Sequence, residues 1–176
     1  MANEEILLDF IKESRDLIQQ MHILLEEVEG DMSQAAKLAD YGQYVDRIMG
    51  GARTLSAHLP NSPEMIQKIA DYAAVCKAVG YKTSQITNNQ NFFNICIALL
   101  MDATDVLYEI VELISSNSKV NLKEVISQTL IDRVNWVSNK FSSEISGTVA
   151  SSVDKAPEGP KMSQNEIDEL MSKLGL

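Results

Sequence analysis

Apolar residues recur at intervals of three and four along most of the chain, and this spacing constrains the fold more than any other feature. It places the apolar side chains on one face of an α-helix, where they can be buried together in a core. The aromatic content is low at 6%, and the many Leu, Ile, Met and Ala residues favour helices over sheets. The pattern therefore predicts an all-α protein. In the first periodic segment the apolar residues are Ile6, Leu7, Phe10, Leu17, Met21, Leu24, Leu25 and Val28.

Five long helices are predicted from the periodic segments and from the residues that interrupt them. Gly30 is expected to end the first helix and Gly80 the third, and Gly42 marks a candidate break in the second. We expect the first four helices to form an antiparallel bundle within residues 1–115, with the fifth as an additional helix in residues 116–142. The predicted helices are 4–29, 33–58, 63–79, 89–115 and 121–142.

The composition and the apolar periodicity change twice in the C-terminal part of the chain. Residues 143–161 are rich in Ser, Gly, Pro and Ala and have no periodicity, which indicates a flexible linker. In residues 162–176, Ser163 and Glu166 form a capping-box pattern before a short apolar stripe. Such a helix is expected either to dock in a groove of a partner or to fold back onto its own bundle. Its stripe consists of Ile167, Leu170, Met171 and Leu174.

The charge and the cysteine content exclude several classes of function. A formal net charge of −10 repels nucleic acid and anionic lipid and suits a basic or mixed protein partner. The acidic N-terminus lacks the basic start of a signal peptide, and no run of 18 apolar residues is present. Cys76 and Cys96 lie in apolar helical segments without metal-ligand spacing and are predicted to be buried thiols. These features predict a cytoplasmic protein without a metal site.

Residues with candidate chemistry are few. No nucleotide-binding loop, hydrolase signature or metal motif is present, and His22 and His58 are most simply surface residues. Asp16 and Gln20 are four residues apart on the first helix, so they share one face and could orient a water molecule. The alternative is that they belong to an ordinary solvated face.

The second helix carries the first resemblance to a known family. Residues 45–55 read VDRIMGGARTL, which resembles the H-x-x-K-G-x-A helix of histidine phosphotransfer (Hpt) domains, and the likeness extends over residues 4–114. Asp46 stands in place of the phospho-acceptor histidine and Met49 in place of the lysine, so no phosphorelay is expected. Asp71 falls where the third helix would carry an acidic partner for that histidine. The resemblance implies a docking face for a response regulator, with Gln43, Asp46, Arg47, Gly50 and Asp71 as its residues.

The C-terminus carries the second resemblance. Residues 162–176 read MSQNEIDELMSKLGL, which is similar to the N-terminal peptide of the flagellar switch protein FliM and to the C-terminal peptide of the chemotaxis phosphatase CheZ. Both peptides bind the response regulator CheY. The resemblance implies that this segment binds a CheY-like regulator through Ser163, Gln164, Glu166, Ile167, Asp168, Leu170, Met171 and Leu174.

A local match to CheZ-like phosphatases completes the interpretation. These enzymes place an Asp-x-x-x-Gln pair against the regulator's acyl phosphate, and Asp16 and Gln20 match that pattern. Gln43 and Asp46 are the second candidate pair. The sequence thus predicts a chemotaxis protein that binds a CheY-like regulator and accelerates its dephosphorylation, with no cofactor of its own and with Mg²⁺ supplied by the regulator. The alternatives are a non-enzymatic pseudo-Hpt adaptor or competitor and, as a weaker reading, a flagellar switch interaction protein. A homodimer formed through the fifth helix is left open.

Overall fold

The structure of the protein, a computed structural model, describes residues 2–59, 64–116, 121–146 and 164–176. Every regular element in these ranges is a helix, as the apolar spacing predicts. None of these helices is both long enough and apolar enough to cross a bilayer. A 3₁₀ helix, Met32–Lys37, precedes the second of seven α-helices. The α-helices are α1 (Ala2–Val28), α2 (Leu38–His58), α3 (Glu64–Thr83), α4 (Gln90–Ser115), α5 (Leu122–Val125), α6 (Gln128–Ser146) and α7 (Gln164–Lys173).

The first four helices form a closed ring, in which α1 packs against α2 and α4, and α3 packs against α2 and α4. Along α1, Arg15 pairs with Glu112 and His22 pairs with Asp105, so α4 runs in the opposite direction to α1. The other neighbours are antiparallel by the same reasoning. Their paired residues are Glu13 with Arg47, Glu27 with Lys37, Asp46 with Lys77, Tyr41 with Gly80, and Tyr72 with Ala103.

A close approach between α2 and α3 explains why Gly80 does not end a helix. Tyr41 is fully buried, and its hydroxyl lies 3.0 Å from the hydroxyl of Thr104. A Cβ at position 80 would lie 2.9 Å from the Tyr41 ring, which leaves no room for a side chain. The predicted end of the third helix at Gly80 is therefore wrong, because the glycine is needed for packing and α3 continues to Thr83.

Capping residues set two other boundaries. Asp31 caps the 3₁₀ helix by accepting a hydrogen bond from the backbone N–H of Ser33 at 3.0 Å. Asn89 caps α4 by accepting from the backbone N–H of Phe92 at 2.9 Å, in agreement with the predicted start of that helix. Gly42 does not break α2.

The predicted fifth helix is two helices. The chain breaks at Ile126 and Ser127, and the Ser127 hydroxyl accepts a hydrogen bond from the backbone N–H of Leu130 at 3.2 Å. Helix α6 then runs antiparallel to α4, with the rings of Phe141 and Phe92 in edge contact at 5.4 Å. It also extends to Ser146, past the predicted start of the linker. The apolar residues that recur at intervals of three and four in residues 121–142 are buried: Leu122, Ile126, Leu130, Val134, Val137 and Phe141.

Helix α7 packs against α3 and α6 of the same chain. Of the two arrangements expected for the C-terminal segment, the structure shows the one in which it folds back onto its own bundle. Residues 147–163, which include most of the predicted linker and Ser163 of the predicted capping box, lie outside the described residues. Together α6 and α7 form a second layer outside the four-helix ring, in which α6 packs on α4 and α3 and α7 packs on α3.

Candidate functional sites

Asp46, which the sequence resemblance places at a phospho-acceptor position, is held by a lysine. The Lys77 ammonium donates to both carboxylate oxygens of Asp46, at 2.6 and 2.8 Å. Asp46 lies midway along α2 with its side chain 44% exposed, so it is on the surface as predicted. The Lys77 contact was not predicted, since it arises from the antiparallel packing of α2 on α3 and no local sequence spacing encodes it.

The other residues predicted for this face are spread over more than one surface. Gln43 and Gly50 are exposed on α2, whereas Arg47 reaches across to an ion pair with Glu13 of α1. Asp71 accepts a long hydrogen bond, 3.4 Å, from the Gln67 amide of its own helix. Lys77 is the α3 residue that contacts Asp46, so the role expected for Asp71 stays a prediction.

The two adjacent glycines of α2 have different surroundings. A Cβ at Gly51 would lie 3.0 Å from the ring of Phe10, so α1 approaches the α2 backbone closely there. A Cβ at Gly50 would have no neighbour within 4 Å. Gly51 is thus a packing position, and Gly50 leaves a stretch of the α2 surface without a side chain, one turn beyond Asp46.

A cavity of about 360 Å³ lies between α2, α3 and α7, next to the Asp46–Lys77 pair. Its walls carry charges of both signs together with apolar groups and the Tyr81 ring. The C-terminal helix therefore borders the same face of the bundle that the Hpt-like pattern marks. The lining residues are Met49, Arg53, Ala74, Lys77, Tyr81, Glu166, Glu169, Leu170 and Lys173.

The apolar stripe of α7 is buried against the protein itself. Ile167 is 0% exposed, and Leu170, Met171 and Leu174 are also buried. Met171 meets an apolar groove, which we call the α7 groove. It is formed by α3, α4 and the segment from α5 to α6. Its residues are Tyr72, Val75, Cys76, Val79, Leu99, Ala103, Ile126, Leu130, Ile131 and Val134.

A second candidate site lies on the opposite side of the ring, in an open groove between α1 and α4. Asp16 lines this groove, and Gln20 is exposed one helical turn further along α1. Neither side chain makes a hydrogen bond or ion pair with any other described residue. The groove is lined by Arg15, Asp16, Ile18, Gln19, His22, Ile23, Glu26, Asp105 and Tyr108.

Ion pairs fix the edges of the α1–α4 groove. The Arg15 guanidinium donates to both carboxylate oxygens of Glu112, at 2.5 and 2.8 Å, and this hydrogen bonding lowers the pKa of the Glu112 carboxyl. Further along α1 than Asp16, the His22 ring lies 3.1 Å from the Asp105 carboxylate. Asp16 therefore presents an unpaired carboxylate between the Arg15–Glu112 and His22–Asp105 pairs.

The chemistry available at the α1–α4 groove is that of an exposed carboxylate and an amide about 6 Å apart along the helix. The carboxylate can accept hydrogen bonds from an ammonium group, and the amide can both donate to and accept from water. A thiolate nucleophile is not available, since burial raises the pKa of Cys76 and of Cys96 to about 12. Within the described ranges no cluster of His, Cys, Asp and Glu could hold a metal ion.

No protein-family model, no curated protein and no solved structure matches this chain.

Proposed function

We propose that this chain is a cytoplasmic bacterial chemotaxis protein that binds a CheY-like response regulator and accelerates hydrolysis of its aspartyl phosphate. The observation that carries the proposal is the exposed, unpartnered pair of Asp16 and Gln20 on α1. An exposed carboxylate and amide one turn apart, at the edge of an open groove, suit insertion into the active site of another protein. The similarity of the C-terminal segment to CheY-binding peptides supports the choice of partner.

In the proposed reaction, this chain positions groups and the regulator supplies the phospho-aspartate and its Mg²⁺. The Gln20 amide orients a water molecule for attack on phosphorus, and Asp16 accepts hydrogen bonds from a lysine ammonium of the regulator. As the water oxygen bonds to phosphorus, the bond between phosphorus and the aspartyl oxygen breaks. The aspartate carboxylate is the leaving group, and the proton lost by the water passes to the newly formed phosphate or to solvent. The products are inorganic phosphate and the regulator's free aspartate.

Gln43 and Asp46 are the less suitable pair. Both oxygens of Asp46 already accept hydrogen bonds from Lys77, and a regulator lysine would have to displace that contact. An ion pair that is partly exposed can open at modest cost, so this pair remains the second candidate.

A non-enzymatic adaptor is the alternative, and the Asp46–Lys77 pair favours it. At the phospho-acceptor position the chain offers a carboxylate neutralised by a lysine, a group that cannot relay phosphate as an imidazole does. A regulator could dock on that face, with Gly50 leaving room for its backbone, and be held without chemistry. In this form the protein would compete with other partners of the regulator and receive no phosphate from a CheA-type kinase.

Turnover distinguishes the two functions. A CheY-type regulator would be phosphorylated with a small-molecule phosphodonor, and phosphate release would be followed with the full chain at one-tenth of the regulator concentration. Multiple turnovers per molecule of this protein support the phosphatase. Protection of the phosphoryl group, or binding without faster release, supports the adaptor. Absence of binding in a titration at micromolar concentrations contradicts both.

A further inference from the structure

The apolar face of α7 has two competing uses. Under the proposed function, Ile167, Leu170, Met171 and Leu174 insert into a groove of the regulator. In the structure the same four side chains are buried against α3 and α6. One face of one helix cannot cover both surfaces at once, so binding of the regulator through this helix requires α7 to leave the bundle.

We propose that the α7 groove is an intramolecular docking site for the chain's own residues 164–176, and that regulator and groove compete for them. This inference rests on the proposed function for the identity of the competing partner. In the structure α7 itself occupies this groove. With α7 docked the regulator-binding face is hidden, and with α7 released it is available.

The way α7 is seated suits reversible docking. It packs on α3 and α6, but on its α2 side a cavity of about 360 Å³ separates it from Met49 and Arg53. Close packing is thus incomplete along one edge of the helix. Since every missing contact forfeits dispersion attraction, this edge contributes little to holding α7 down.

The chain between α6 and α7 is long enough to permit release. It comprises residues 147–163, and a segment of that length can span several tens of ångströms at about 3.3 Å per residue. A released α7 stays tethered, so its effective concentration near the groove remains high, on the order of millimolar. Rebinding is then fast, and the regulator must bind strongly enough to outcompete it.

A single substitution under α7 tests the docking. Ala74 is 3% exposed and lines the cavity beside Leu170. In Ala74→Glu the new carboxylate loses contact with water whenever α7 covers position 74, and burial of a charged group costs free energy, so docking is opposed. Once α7 has left, the new side chain faces water on the outside of α3. The matched control is Ala98→Glu, the same change at an exposed position of α4 that lines neither the cavity nor the α7 groove.

The first measurement is made without regulator. Hydrogen exchange of the α7 backbone amides should show protection in the natural chain and in Ala98→Glu, and loss of most of that protection in Ala74→Glu. Tyr81→Glu, at an exposed rim position of the same cavity, should act in the same direction if Ala74→Glu fails to fold. Equal and rapid exchange of α7 in all four proteins would show that the helix is not docked and would overturn the proposal.

The second measurement is regulator affinity. Docking reduces the apparent affinity by the fraction of molecules with α7 released, so Ala74→Glu should bind a beryllofluoride-activated CheY-type regulator on the order of tenfold more tightly than Ala98→Glu does. Released α7 with unchanged or weaker affinity would overturn the competition. A synthetic peptide of residues 162–176 separates this failure from failure of the proposed function. If that peptide does not bind the regulator, the proposed partner is wrong and the competition for α7 is contradicted as well. The hydrogen-exchange result still decides whether α7 docks on its own bundle.

Discussion

At the scale of single residues, the proposed chemistry depends on one amide. Gln20 is exposed and has no partner among the described residues, so Gln20→Ala removes a group that supports nothing in the fold. We expect regulator dephosphorylation to slow by about 10²-fold or more, the usual cost of losing one positioned polar group in a transition state. Regulator affinity should be unchanged, as measured by titration.

Neighbouring residues provide the controls for that prediction. Gln19→Ala removes the same chemical group one position earlier on α1, from a side chain that is also exposed and lines the α1–α4 groove. It should leave the rate within about twofold of the natural protein, a difference well below 1 kcal/mol. A full rate in Gln20→Ala, combined with a loss in Gln43→Ala, would move the active face to α2.

The two thiols give a second residue-scale prediction. Burial raises the pKa of Cys76 and of Cys96 to about 12 from the ordinary value of 9.0. At pH 8 the thiolate fraction in the folded protein is then about 10³-fold lower than in an unfolded chain. A disulfide exchange reagent should therefore label neither cysteine in the native protein and both after unfolding, as counted by mass spectrometry. Rapid labelling of one cysteine at pH 8 would show that its helix opens in the native state.

The same two groups set a direction for pH dependence. Below about pH 9 the thiols are protonated in both folded and unfolded states and contribute no difference. Above it the unfolded chain ionises while the folded protein, with a pKa of about 12 at each thiol, does not. Stability is therefore lost as the pH rises from about 9 towards 12.

At the scale of helices, two glycines allow the effect of close helix packing on stability to be measured separately from the effect of helix propensity. Gly80→Ala would place a Cβ 2.9 Å from the ring of Tyr41, which is fully buried and cannot move aside, and overpacking of this kind costs about 1–3 kcal/mol. Gly50→Ala places its Cβ in open space and gains helix propensity of up to about 1 kcal/mol. Urea denaturation should show opposite signs for the two variants. A stable Gly80→Ala would mean that α2 and α3 can move apart without loss.

Short-range sequence patterns predicted which segments are helical better than they predicted where the helices end. The Asn89 cap and the buried stripe of α6 follow from short-range patterns, and both are found where the sequence places them. Gly80 was misread because a glycine used for helix packing looks the same in a sequence as a glycine that ends a helix. The break at Ser127 was missed, because the apolar spacing continues through it.

The candidate sites were predictable only in part, for a related reason. Exposure of Asp16, Gln20 and Asp46 follows from their positions outside the apolar stripes. The partner of Asp46 lies 31 positions away at Lys77, and such a pair exists only once α2 and α3 have packed. The sequence also showed that α7 has an apolar face, whereas the surface that covers it depends on the arrangement of α3, α4 and α6.

At the scale of the whole molecule, the protein has two layers, a closed ring of four helices and a set of helices packed on the outside of that ring. The ring of α1 to α4 is closed by contacts between every pair of neighbours, and α6 and α7 lie outside it over α4 and α3. The α1–α4 groove stays uncovered on the far side, where Asp16 is exposed. The proposed catalytic face is therefore open whether or not α7 is docked, and under the proposed competition α7 would control capture of the regulator without blocking the chemistry.

This arrangement limits how much stability the C-terminal helix can contribute. Removal of residues 162–176 can lower the free energy of unfolding by no more than the docking free energy of α7, and the same limit holds for Leu170→Ala. Once α7 has left the bundle, no further contact between them can be lost. We estimate a few kcal/mol at most, or a fall in Tm of less than about 10 °C. Leu107 of α4 is 0% exposed. Leu107→Ala should therefore lower the free energy of unfolding by about 2–5 kcal/mol, and the docking free energy of α7 sets no limit on this loss.

Combining two substitutions in α7 tests the limit directly. Ile167→Ala together with Leu170→Ala should lower Tm no further than the truncation does, whereas Leu170→Ala added to Leu107→Ala should be close to additive, since the sites are independent. Ser172→Ala, on the exposed side of α7, should leave Tm unchanged and serves as the control. Scanning calorimetry on the full set gives the answer. If the truncated chain fails to fold cooperatively, α7 belongs to the core and cannot be released to a partner. If truncation leaves Tm unchanged, α7 is not docked, and the groove that it covers in the structure must tolerate water.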